Sequence, residues 1–123
     1  MKEDVEDART EVLAPNGIPL KTIWVTEVGV RIGGGFATSV DTEAEQATAM
    51  GSVYYRLRNM VPVVIAHRLA DPPPNQAEAA GYGAVTREAV EPYPLNRRRD
   101  FYFEICERRG ITTQDPEDLC YQP

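Results

Sequence analysis

Between Ile18 and Leu69 the sequence runs strand, glycine turn, helix, strand, and this order restricts the chain more than any other feature in it. From Ile18 to Ile32 the β-branched and aromatic residues Ile23, Trp24, Val25, Val28, Val30 and Ile32 dominate, with Thr22, Thr26 and Arg31 interleaved. That composition reads as a strand, bent or bulged at Gly29. Gly33-Gly34-Gly35 ends it. Thr42 followed three residues later by Glu45 matches a capping box, and acids crowd a first turn where the helix dipole favours them. A helix over about 42–58 is expected, with Ala44, Ala47, Met50, Tyr54 and Leu57 as its apolar stripe and Glu43, Glu45, Gln46, Arg56 and Arg58 largely off it. Asn59 suits a left-handed residue just past the helix, and Pro62 stops it. Val61 to Leu69 then reads as a largely buried return strand. Parallel pairing of the two strands would give a right-handed crossover; antiparallel pairing stays open.

The flanks are less regular. Residues 1–11 are charge-dense with one strong hydrophobe, Val5, and read as a flexible acidic tail or a marginal helix. Asn16-Gly17 is a hairpin signal, restrained by Pro15 and Pro19 to a short or edge hairpin. Asp71-Pro72-Pro73-Pro74-Asn75 reads as a stiff extended connector. Residues 76–80 could form one helical turn, and Tyr82 to Arg87 a short strand or loop. Over 97–109, Phe101, Phe103 and Ile105 alternate like a strand, yet Arg108-Arg109-Gly110-Ile111 is a helix end with Ile111 placed against Cys106. Helix is favoured there. The expected class is α+β: a small mixed sheet with the 42–58 helix packed on it and a C-terminal helix. One domain over 12–110 would lie between the N-terminal tail and an acidic C-terminal tail at 111–123.

Size and charge narrow the function classes. The 123 residues, 42% hydrophobic and 26% charged, suit one soluble domain, with neither a spanning apolar window nor a signal-peptide start. The net charge of -6 is uneven: residues 1–50 carry four Lys/Arg against nine Asp/Glu, and residues 51–123 carry nine against ten. An acidic balance argues against generic nucleic-acid binding and is compatible with a basic protein partner. Cys106 and Cys120, with thirteen residues between them, could bridge in an oxidising compartment; reduced thiols are the expectation.

Catalytic patterns are weak. Gly33-Gly34-Gly35 before a helix could cradle a phosphate, but Phe36-Ala37 stand where a P-loop needs Lys and Ser/Thr, and Asp41, Glu43 and Glu45 would repel the anion. His67 is the only histidine, without an orienting partner or a zinc spacing alongside Cys106 and Cys120. Glu88, Glu91 and Asp100 show no pairing that would separate two pKa values. Arg97-Arg98-Arg99 beside Phe101-Tyr102-Phe103 is the one basic run with aromatics, though Asp100, Glu104 and Glu107 are spaced to neutralise it.

The expectation is therefore a non-enzymatic protein-interaction module, without metal or cofactor, cytoplasmic or carried in a virion as a subunit of a larger assembly. Its partner-binding residues would be Trp24, Pro73, Tyr93, Arg97, Arg98 and Arg99, residue types and loops suited to docking. Two alternatives stay open: an acidic inhibitor or immunity-type protein covering a basic site, and a small ligand-binding domain or enzyme with its site at the Gly33–Ser39 turn.

Overall fold

A computed structural model describes residues 2–19, 23–35 and 37–122, without the side chains of 77–79; the expected strand residues 20–22, and Phe36 in the glycine turn, lie outside it. The fold is α+β. Among the described residues the elements are α1 (Lys2–Asp7), β1 (Trp24–Val28), α2 (Glu43–Leu57), β2 (Val63–Ala66), β3 (Val85–Arg87), β4 (Leu95–Arg98) and α3 (Asp100–Arg108). Short helical stretches cover Ala8–Leu13, Ala14–Asn16 and Pro74–Ala79. The chain forms two compact units, Met1–Val28 with Ser52–Ala66, and Gly29–Gly51 with His67–Pro123.

In the first unit β1 and β2 pair in parallel, Trp24 opposite Val63 and Val25 opposite Val64, which answers the question the sequence left open. Val5, Leu57 and Val61 are buried together, with Ile23, Val25, Val53, Met60 and Val64 packed on them. Burial of each large aliphatic side chain is worth about 1.5–3 kcal/mol, so this cluster is the unit's main source of stability. Val5 thus belongs to a core: its helix is followed directly by further helical turns through Asn16. Asn16-Gly17 is the end of that helical run, not a hairpin. Gly17 takes a left-handed φ of 67° and donates its N–H to the Ala14 carbonyl at 3.2 Å. Local helical hydrogen bonds, not a strand partner, satisfy the backbone of this segment.

α2 begins as the sequence dictates. The Glu45 N–H donates to the Thr42 hydroxyl at 3.2 Å, and the Glu45 carboxylate accepts the N–H of Thr42 at 2.9 Å and of Asp41 at 3.0 Å. Its end differs from expectation. Asn59 has no left-handed backbone; the N–H groups of Met60 and Val61 both close on the Leu57 carbonyl, at 2.9 and 3.1 Å. Its buried face is also rotated from the expected stripe. Gln46, Met50 and Leu57 are fully buried while Ala44 is exposed.

In the second unit β3 and β4 pair antiparallel, Val85 opposite Arg98 and Arg87 opposite Leu95. The ambiguous 97–109 stretch divides: β4 takes its first residues and α3 the rest. α3 ends in a Schellman motif, with Gly110 at φ 71°, the Ile111 N–H on the Cys106 carbonyl and the Gly110 N–H on the Glu107 carbonyl, both at 2.9 Å. Cys106 and Cys120 form a disulfide with Cα atoms 5.8 Å apart, which corrects the expectation of free thiols. No described helix is long and apolar enough to cross a membrane.

Candidate functional site

Asp71 organises the second unit. The proline connector holds it 8% exposed, with its own N–H on the Val85 carbonyl at 2.9 Å. Oδ1 accepts the N–H groups of Gly81 and Gly83 at 3.0 and 2.8 Å, and Oδ2 accepts Arg99 Nη2 at 2.7 Å. Arg99 also donates Nη1 to the Gly83 carbonyl at 2.6 Å, and Arg87 Nε donates to the Asp71 carbonyl at 2.7 Å. Gly83 must be glycine here, since an added Cβ would lie 2.7 Å from Asp71 Oδ1. Gln46 extends the network from α2, donating Nε2 to the carbonyls of Val30 at 3.0 Å and Gly81 at 3.1 Å. A buried charge is tolerated when paired and hydrogen-bonded on all sides, and this arrangement meets that condition.

With Arg99 fixed inward, its neighbours turn outward. Arg97 is exposed and grips Glu43 through both terminal nitrogens, one at 2.9 Å. That hydrogen bond is the largest cause holding the Glu43 carboxyl below its ordinary range; burial opposes it, and the charges of Arg97 and Arg99 add to it. Arg98 lies over the rings of Phe103, at 5.2 Å, and Tyr102, at 5.8 Å, and donates to the Leu119 carbonyl. It has no carboxylate partner among the described residues.

Two clefts open on this side of the unit, of about 490 and 480 Å³. Asp100, Phe103, Glu104 and Glu107, spaced three and four apart and so on one face of α3, line the first together with Ile111 to Gln114. Phe101, on a neighbouring face, is buried. Asn96, Arg97 and Arg98 line the second, and both clefts share Phe103 and Gln122. Carboxylates thus line one cleft and guanidinium groups the other, with Phe103 common to both; within the chain Glu104 is paired with Arg108 at 2.8 Å and Arg97 with Glu43. Such a surface can hold opposite charges flanking an apolar group.

Of the residues expected to bind a partner, Arg97 and Arg98 line the second cleft and Arg99 is committed to Asp71. Tyr93 lies in the β3–β4 loop, its carbonyl accepting Arg87 Nη1 at 3.0 Å; Pro73 is half-buried in the connector. Trp24, 60% exposed, belongs to β1 in the other unit. His67 packs edge-on against Tyr82 at 5.3 Å. No described cluster of His, Cys, Asp and Glu could hold a metal ion. Sequence reading missed Asp71, Gln46 and the 111–122 segment. A lone carboxylate before three prolines and the cysteine spacing were the available signals for the first and last.

No protein-family model matches the chain, and neither a curated protein nor a solved structure matches it.

Proposed function

We propose that the chain is a non-enzymatic protein-interaction module, and that the two clefts act as one groove, which its partner enters as an extended peptide carrying an apolar side chain between a basic and an acidic one. The observation that supports this most is the shared lining of the two clefts: Phe103 lines both the cleft bearing Asp100, Glu104 and Glu107 and the one bearing Arg97 and Arg98. Opposite charges fix a peptide's direction and exclude like-charged competitors, while the ring supplies the desolvated contact that affinity needs. In this reading the chain serves as one subunit of a larger assembly. Of the two settings expected from the sequence, a virion suits a standing disulfide better than a reducing cytoplasm does.

The test uses two fluorescein-labelled nonapeptides, one with central Lys-Leu-Glu and one with Glu-Leu-Lys, titrated by fluorescence anisotropy at low salt. One direction should bind at least tenfold tighter, with affinity falling as salt rises, and Phe103→Ala should abolish the preference. Arg98→Glu should weaken the favoured peptide. Absence of binding by both peptides at millimolar concentration overturns the proposal.

A further inference from the structure

We infer that the Cys106–Cys120 disulfide is a redox clasp: it holds segment 111–122 in place as a wall of the groove, and a dithiol reductant that opens it releases that wall. Its effect on binding rests on the peptide-groove reading; the release of the segment does not.

The argument begins with what holds the segment. None of residues 111–122 is buried, and none lies in a helix or strand. Its own hydrogen bonds are local turn contacts: Cys120 N–H to Asp118 Oδ1 at 2.7 Å, Glu117 N–H to Asp115 Oδ1 at 3.0 Å, Tyr121 N–H to the Asp118 carbonyl at 3.0 Å. Such contacts shape the segment without attaching it. Attachment to the rest of the unit comes from the helix-end bond of Ile111, the Arg98 bond to the Leu119 carbonyl, and the disulfide. A solvent-exposed hydrogen bond offsets little of the entropy lost in ordering a dozen residues, whereas a covalent link that closes the loop removes a larger share of that loss beforehand. The disulfide is therefore the fastening that decides whether the segment stays.

Its two ends are unequal in a way that suits opening. Cys106 is 6% exposed on α3, while Cys120 is half-buried on the segment itself. A thiolate of the dithiol attacks Cys120 Sγ, the S–S bond breaks, and Cys106 Sγ leaves as a thiolate that takes up a proton. The second thiol of the reductant then closes its own disulfide and releases Cys120 as a thiol. Two electrons pass to the protein, and the reductant becomes a cyclic disulfide. Ile111 to Gln114, Cys120 and Gln122 all line the first cleft, so release removes one side of it. An assembly formed under oxidising conditions would in this way lose its peptide contact on entering a reducing compartment.

Amide hydrogen exchange on the full chain, with and without dithiothreitol, tests the clasp. Reduction should speed exchange at Asp118, Cys120 and Tyr121 at least tenfold while the amides of α3 and of Gly81 and Gly83 keep their protection; Cys120→Ser, which leaves the buried Cys106 in place, should reproduce the effect without reductant. Unchanged exchange in the segment overturns the inference. Loss of protection throughout α3 also overturns it, since the bond would then staple the fold and not a wall. The nonapeptide with the better affinity should bind at least tenfold more weakly to the reduced chain. Equal binding in both states, with the segment released, refutes control of the groove; binding in neither state refutes the groove reading, and exchange alone then decides the clasp.

Discussion

Both units bury apolar side chains, the second Met50, Ala84, Val85 and Phe101, but among the described residues the second adds a buried polar network to that packing. The first relies on apolar contact among Val5, Leu57 and Val61. The second gathers its loops around a carboxylate, with Asp71, Arg99, Arg87 and Gln46 linking the connector, β3 and α2 by directional hydrogen bonds. Apolar packing is non-directional and tolerates exchange among side chains of similar volume. A buried polar network tolerates little, because each lost partner leaves another group desolvated and unpaired.

The strongest test of this contrast is Asp71→Ala. It leaves the Arg99 guanidinium with only the more distant Glu43 carboxylate, 3.7 Å from Nε, and two N–H groups without an acceptor, and should cost about 3–5 kcal/mol in urea denaturation. Amides of Gly81, Gly83 and Val85 should lose exchange protection while those of β2 retain it; uniform loss would show that the polar and apolar regions do not respond separately. The isosteric Asp71→Asn should still destabilise by about 1–3 kcal/mol. Oδ1 faces two N–H donors and Oδ2 faces a guanidinium, so either placement of the amide nitrogen opposes a donor.

Leu57→Ala comes next, at about 2–5 kcal/mol, whereas Leu57→Met should cost less than about 1.5 kcal/mol. If Leu57→Met proved as damaging as Asp71→Asn, the distinction between tolerant and intolerant regions would fail. A smaller effect belongs to Thr42→Ala, which removes the α2 cap and should cost about 1 kcal/mol by thermal unfolding.

The smallest effect concerns the exposed ion pair of Arg97 and Glu43. Because Glu43 titrates lower in the folded chain than its ordinary value of 4.5, the stability it contributes is present above about that pH. It is lost as pH falls through the folded value. Arg97→Ala should remove this acid-side dependence and otherwise change stability by less than about 1 kcal/mol, with Arg97 60% exposed and screened by solvent. A pH series of denaturation midpoints below 5, wild type against variant, measures it; an undiminished slope would show that other carboxylates carry the dependence.

The capping box at Thr42 and Glu45, the α2 helix, the return strand after Pro62 and the glycine end of α3 were all legible in the sequence, because each depends on residues within five positions of one another. The rotated face of α2 was not. Gln46 looks polar in any window, and only the carbonyls of Val30 and Gly81, brought to it by the fold, make its burial affordable. The arginine triplet shows the same division at the candidate site: sequence marked it as a basic run beside aromatics, and the fold gave its three members different duties. Arg99 points to Asp71, Arg97 to Glu43, and Arg98 to the α3 rings.

By itself, then, the sequence determined the α+β class, where α2 begins, that a return strand follows Pro62, and how α3 ends, since capping, turn chemistry and periodicity act over a few residues. Tertiary structure alone decided that β1 and β2 run parallel, that Asp71 is the hub of the second unit, that Cys106 and Cys120 join, and that Phe103 lines both clefts. Those outcomes depend on groups far apart in the chain meeting in space, where burial changes the cost of every charge and hydrogen bond, and no local pattern encodes such a meeting.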